Sequence, residues 1–182
     1  MKRLALILAA SVFAGPAFAH SGHAFTFAAG LSHPFSGADH LLAMALVGVW
    51  AAAFGGARAW AWPASFVAAL SVGALLGHAG VAAPGLETMI ALSVSALGLL
   101  VASRAPASLA LGIAALAPLG LLHGIAHGAE APDGAFALYV AGFVAASAAL
   151  HACGLAAGRL AAGGARWFGW AGALAGLWLA VQ

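Results

Sequence analysis

The chain has 182 residues, of which 65% are hydrophobic and only 5% charged, with a formal net charge of +2 and a mean hydropathy of +1.08. Apolar runs of about 17–25 residues divided by short polar breaks give a polytopic membrane protein and exclude an ordinary soluble domain. The absence of a Lys/Arg-rich patch or nucleic-acid motif excludes nucleic acid as a partner, and the single Cys153 excludes an internal disulfide.

Residues 1–19, "MKRLALILAASVFAGPAFA", combine a basic start (Lys2, Arg3), a short apolar stretch broken by Gly15-Pro16, and the small-x-small end Ala17-Phe18-Ala19. This pattern predicts a signal peptide cleaved after Ala19, with a mature chain that begins at His20 outside the cytoplasm. Hydropathy and helix breakers then place six transmembrane helices at 38–55, 60–82, 86–103, 107–128, 134–157 and 165–181, an all-α bundle spanning residues 20–182. With the mature N-terminus outside, the breaks at Arg58, at Arg104 and between Arg159 and Arg166 fall on the cytoplasmic side, as the positive-inside rule requires. The acidic residues Asp39, Glu87, Glu130 and Asp133 fall at the outer ends.

Small-residue spacings recur at Gly73 and Gly77, at Gly120, Gly124 and Gly128, and at Gly172 and Gly176. They predict closely packed helices. Most of the six tryptophans lie near predicted span ends, where an interfacial aromatic belt is the ordinary explanation.

The chemistry is concentrated in the histidines. His20 and His23 precede the first span, His33 and His40 flank its outer mouth, His78 ends the second, and His123 and His127 lie near the outer end of the fourth. Seven of the eight therefore share one side of the membrane, in the layer that also holds Asp39, Glu87 and Glu130. Imidazole with carboxylate is a ligand set for nickel, cobalt or zinc. In "HGIAHGAE" the i, i+4 spacing puts His123 and His127 on one helix face. The glycines on that face predict close approach of a neighbouring helix, and the first span supplies Asp39, His40 and Met44 as candidates. Pro34 and Gly37 predict a bent entry to that span, tolerated at membrane depth where it lines a cavity or is buried.

Each residue also has a plainer role. Asp39 suits a helix cap or a hydrogen bond that orients a histidine, Glu87 suits the first turn of its helix, Asp133 suits a turn, and Met44 suits packing. His151 lies toward the inner half of the fifth span, where it is either an inner waypoint or a histidine bonded to a neighbouring helix. The amine and imidazole of a mature His20, joined by His23, would make an outer chelator.

"HSGHAFTFAAGLSHPFSGADHLLAMALVGVWA" resembles the N-terminal signature of the HupE/UreJ family, His-Pro-x-x-Gly-x-Asp-His followed by Leu-Ala-Met, at His33, Pro34, Gly37, Asp39, His40, Leu42, Ala43 and Met44. "PGLETMIALSVSALGLL" with Glu87, "HGIAHGAE" with Glu130 and "GFVAASAALHACG" with His151 are similar to family segments in the same order. The resemblance implies a nickel or cobalt permease of the bacterial inner membrane that supplies hydrogenase or urease, with His33, Asp39, His40, His123 and His127 as functional residues. On this reading the ion is substrate, no prosthetic group is needed, lipid is the other partner, and a homo-oligomer is left open. A membrane metalloenzyme with a His/carboxylate site competes with it, but the sequence has no HExxH. A haem carrier would want paired histidines at mid-membrane, and a tethered metal sensor would not need the whole bundle.

Overall fold

The computed structural model describes residues 27–182 except 55, 57, 105, 106 and 132–134, so the expected signal peptide, His20, His23 and Asp133 lie outside the described residues. The described chain is all helical. Its elements are α1 (Phe27–Ser32), a 3-10 turn (His33–Phe35), α2 (Ala38–Ala52), α3 (Arg58–His78), α4 (Leu86–Ser103), α5 (Leu109–Glu130), α6 (Phe136–Ala161), a second 3-10 turn (Ala162–Gly164) and α7 (Ala165–Leu179).

A helix overlaps each of the six expected segments, but their lengths are unequal. α3, α4, α5 and α6 are long and apolar enough to cross a membrane. α2 and α7 have 15 residues each, about 22 Å at 1.5 Å per residue, against a hydrocarbon thickness of about 30 Å. α1 and its 3-10 turn meet α2 at 84°, a bent pair with the form of a broken span or a re-entrant loop. The expected bent entry is therefore a short helix followed by a sharp corner at Pro34 and Gly37, and α1 itself carried no sequence signal long enough to register.

Glycines decide which helices meet. A Cβ on Gly120, Gly124 or Gly128 would run into the α3 backbone at Phe66, Leu70 and Ala74 respectively, and one on Gly73 or Gly77 would run into α5 at Leu121 and Ile125. The two stripes interlock in parallel. α2 and α6 are likewise parallel, with Gly154 against the Ala45 carbonyl and Gly48 against the His151 carbonyl, whereas α4 and α7 are antiparallel through Gly98, Gly169 and Gly176. Upstream on α6, Gly142 lies against the Phe27 carbonyl and Gly30 against the Tyr139 carbonyl, so α1 and α2 together cover the length of α6.

Two sequence expectations change here. The α5 glycine face was expected to admit the first span but is taken by α3, because α3 offers the complementary stripe Gly73 and Gly77. Trp50 and Trp62 do not belong to an interfacial belt: they are buried and stacked with ring centres 4.4 Å apart, with Phe54 edge-on. The Trp62 indole N–H finds the Leu109 carbonyl at 3.2 Å, which meets its polar requirement inside the core. Trp60, Trp167, Trp170 and Trp178 are exposed, as a belt demands.

Candidate functional site

His33 sits on the 3-10 corner, His40 in the first turn of α2, and His123 and His127 one turn apart near the end of α5. Their rings gather into one cluster, with centres 4.4 Å apart for His40 and His127, 4.6 Å for His33 and His127, and 4.9 Å for His40 and His123. On the α5 surface the row 123, 127 lies beside the row 120, 124, 128, so the glycines bind α3 while the imidazoles face the bent pair. The backbones of α2 and α5 need not touch, because the rings fill the gap between them.

Each imidazole is held differently. Asp39 Oδ1 accepts from His40 Nδ1 at 2.8 Å and from the His40 backbone N–H at 2.7 Å. The carboxylate therefore orients the ring, satisfies one free amide of the first turn, and opposes the positive end of the α2 dipole. Gly37 is part of the same arrangement, since a Cβ there would lie 2.6 Å from Asp39 Oδ1 and 3.0 Å from His40 Nδ1. Glu130 Oε2 lies 3.2 Å from His33 Nε2 and ties the corner to the end of α5. His123 Nε2 meets Ser93 Oγ of α4 at 2.8 Å. His127 stacks on Phe143 with ring centres 5.0 Å apart.

What remains is a set of buried imidazole nitrogens with no hydrogen-bond partner among the described residues, His40 Nε2, His123 Nδ1, both nitrogens of His127, and His151 Nε2, beside the unpartnered Trp50 indole N–H. An unsatisfied buried polar atom costs about 1–3 kcal/mol, and the bare acceptor nitrogens among these, one per neutral ring, call for a donor or a cation. The Tyr139 hydroxyl is also buried and unpartnered, with its ring 5.5 Å from His33. In this arrangement the rings pack against one another, and among the described residues no three His, Cys, Asp or Glu side chains form a group that could hold an ion.

His151 lies apart from the cluster. Its Nδ1 donates to the Ser147 carbonyl at 2.5 Å, and Phe66 stands between it and the cluster, with ring centres 5.8 Å from His123 and 5.4 Å from His151. Met44 is fully buried in the apolar core. Glu87 is exposed in the first turn of α4, and His78 is exposed and stacked on Phe136; neither joins the imidazoles. Ser93, Tyr139 and Phe143 carried no sequence signal, because a serine or an aromatic within an apolar helix looks like packing until its neighbour is known.

The cluster sits where the expected motifs meet. The family described as HupE / UreJ protein matches residues 8–179. The chain belongs to the HupE/UreJ family. It is 43% identical over 187 residues to Protein HupE of Rhizobium leguminosarum bv. viciae, covering 99% of this chain and 98% of that one. No solved structure matches the chain. Its apolar helices make it a multi-pass membrane protein.

Proposed function

We propose that this protein is a secondary transporter that takes up divalent nickel, with cobalt as the second choice, from the periplasm across the bacterial inner membrane, for metalloenzymes such as hydrogenase or urease. The observation that carries the proposal is the meeting of His33, His40, His123 and His127 at the corner of the bent pair, with unpartnered ring nitrogens turned into an apolar bundle. Helix breaks buried in protein are where transporters bind their ions, and imidazole suits nickel and cobalt.

In this reading the chain is made with a signal peptide over residues 1–19 and crosses the membrane six times, with the mature N-terminus in the periplasm. Glu130 and His33, the most exposed pair of the site, receive the hydrated ion. His40, His123 and His127 replace its water, Asp39 holds His40 in register, and His151 receives the ion beyond Phe66. His20 and His23 serve as an outer collector, with Glu87 as a peripheral carboxylate. The chain has no nucleotide-binding motif, so transport runs down a gradient or is coupled to one, and the ion is cargo rather than a catalytic centre.

The test is uptake of radioactive nickel, with cobalt as competitor, in a host that lacks its own nickel importers. Wild type is expected to accumulate nickel, while His40→Ala and His127→Ala at equal membrane abundance do not. Failure of the well-inserted wild type to accumulate either metal would overturn the proposal. N-terminal sequencing of the membrane-purified chain tests the cleavage: a first residue other than His20 removes the collector.

A further inference from the structure

We propose that Ser93 is a positioning residue that fixes the tautomer of His123, so that Nδ1 presents its lone pair to the ion. This inference rests on the transporter reading above but is argued from hydrogen-bond bookkeeping alone. Ser93 and His123 lie on different helices, 30 positions apart, and both are buried, at 3% and 0% exposure. A serine hydroxyl has one proton to give. The Ile90 carbonyl, 2.6 Å from Ser93 Oγ, can only accept and therefore takes that proton. What Ser93 Oγ offers His123 Nε2, at 2.8 Å, is then a lone pair. Nε2 must carry the ring proton to make the bond. A neutral imidazole has one N–H, so Nδ1 is bare.

The opposite tautomer is worse on both sides of the ring. It would bury an N–H at Nδ1, where there is no acceptor among the described residues, and would set two acceptors in competition for the single Ser93 proton. The neighbouring ring reaches the same condition by mirrored means. His40 gives its Nδ1 proton to Asp39 and keeps a bare Nε2. Two rings 4.9 Å apart thus each keep one acceptor nitrogen and no proton to share between them, an arrangement that only a donor or a cation can satisfy. Ser93 does for His123 what Asp39 does for His40, without adding a charge. A second carboxylate at this depth would hold the ion more tightly, whereas a neutral hydroxyl orients the ligand and leaves the ion free to move on.

The experiment reads the tautomer directly. The metal-free, detergent-purified full chain, labelled with 15N at the histidine rings, is examined at a pH well above the ordinary imidazole value of about 6.5, with the His123 signals assigned by difference from His123→Gln. The expected wild-type result is a protonated Nε2 and a bare Nδ1; a protonated Nδ1 overturns the proposal without any variant being needed. Ser93→Ala should mix or reverse the tautomers and raise the KM for nickel uptake by about two- to tenfold, the size of one neutral hydrogen bond, with maximal rate and membrane abundance unchanged. Ser93→Thr, which keeps the hydroxyl, should restore both. Unchanged ring signals and KM in Ser93→Ala would sink the proposal. A wild type that shows the expected tautomer but transports no metal would sink the transporter reading and leave the tautomer assignment intact.

Discussion

Gly37 has almost no room for a side chain, and that space is reserved by the bond between Asp39 and His40. Gly37→Ala should therefore push the carboxylate or the ring out of place. We expect nickel uptake to fall by at least about tenfold, the loss of roughly 1.4 kcal/mol of ligand placement, while the folded fraction in detergent changes little; wild-type uptake would refute the crowding argument. Asp39 separates charge from orientation. Asp39→Asn keeps an oxygen that can accept the His40 Nδ1 proton and should retain part of the uptake, whereas Asp39→Ala leaves that N–H without an acceptor and should abolish it. Equal loss in both variants would mean that the charge of Asp39, and not its grip on the ring, is what matters. At this scale His33, His40, His123, His127, Asp39 and Glu130 were legible, because titratable groups are rare in an apolar chain and each needs a reason. Ser93 was not, since a serine in a helix ordinarily bonds back to its own turn, and its second bond is made to a helix 30 residues away.

At the scale of elements, the interlocked glycine stripes of α3 and α5 set the platform on which His123 and His127 stand. Gly124→Ala places a methyl against the Leu70 carbonyl with no flexible atom to yield, so the helices must part. Overpacking of this kind costs about 1–3 kcal/mol, and an equilibrium unfolding measurement in mixed micelles should show it. Gly163→Ala is the control: the added Cβ meets nothing within 4 Å, and stability should stay within about 0.5 kcal/mol of wild type. Similar losses in both would mean that α3 and α5 are not held by close backbone approach. The sequence pattern located every long helix among the described residues, since hydropathy reports burial in lipid directly. It could not assign the partner of each stripe, because a row of small residues records that something comes near but not what does. The same limit hid α1, whose six residues acquire a role only by lying against Tyr139 and Gly142 of α6.

For the whole molecule, the helix directions and the polar residues tell one story. Parallel packing of α3 with α5 and of α2 with α6, and antiparallel packing of α4 with α7, are the relations that the proposed six alternating segments would have. They gather His33, His40, His127 and Glu130 toward one end, while Arg104, Arg159 and Arg166 fall at the helix ends of the other. Phe66 lies beside His123, and the buried Trp50 and Trp62 pair stacks toward the arginine end, so on the proposed reading an ion that enters at the histidines would meet aromatic rings on its way. On the proposed transport reading, passage would depend on capture strong enough to strip water and weak enough to release, which makes proton competition the sharpest global probe. An imidazole binds metal only when neutral. Below the ordinary imidazole pKa of about 6.5 a ring open to water is increasingly protonated. Uptake measured at fixed free nickel should accordingly be lower near pH 5 than near pH 7.5. A wild-type profile that stays level from about pH 7 to 5 would mean that imidazoles do not carry the ion.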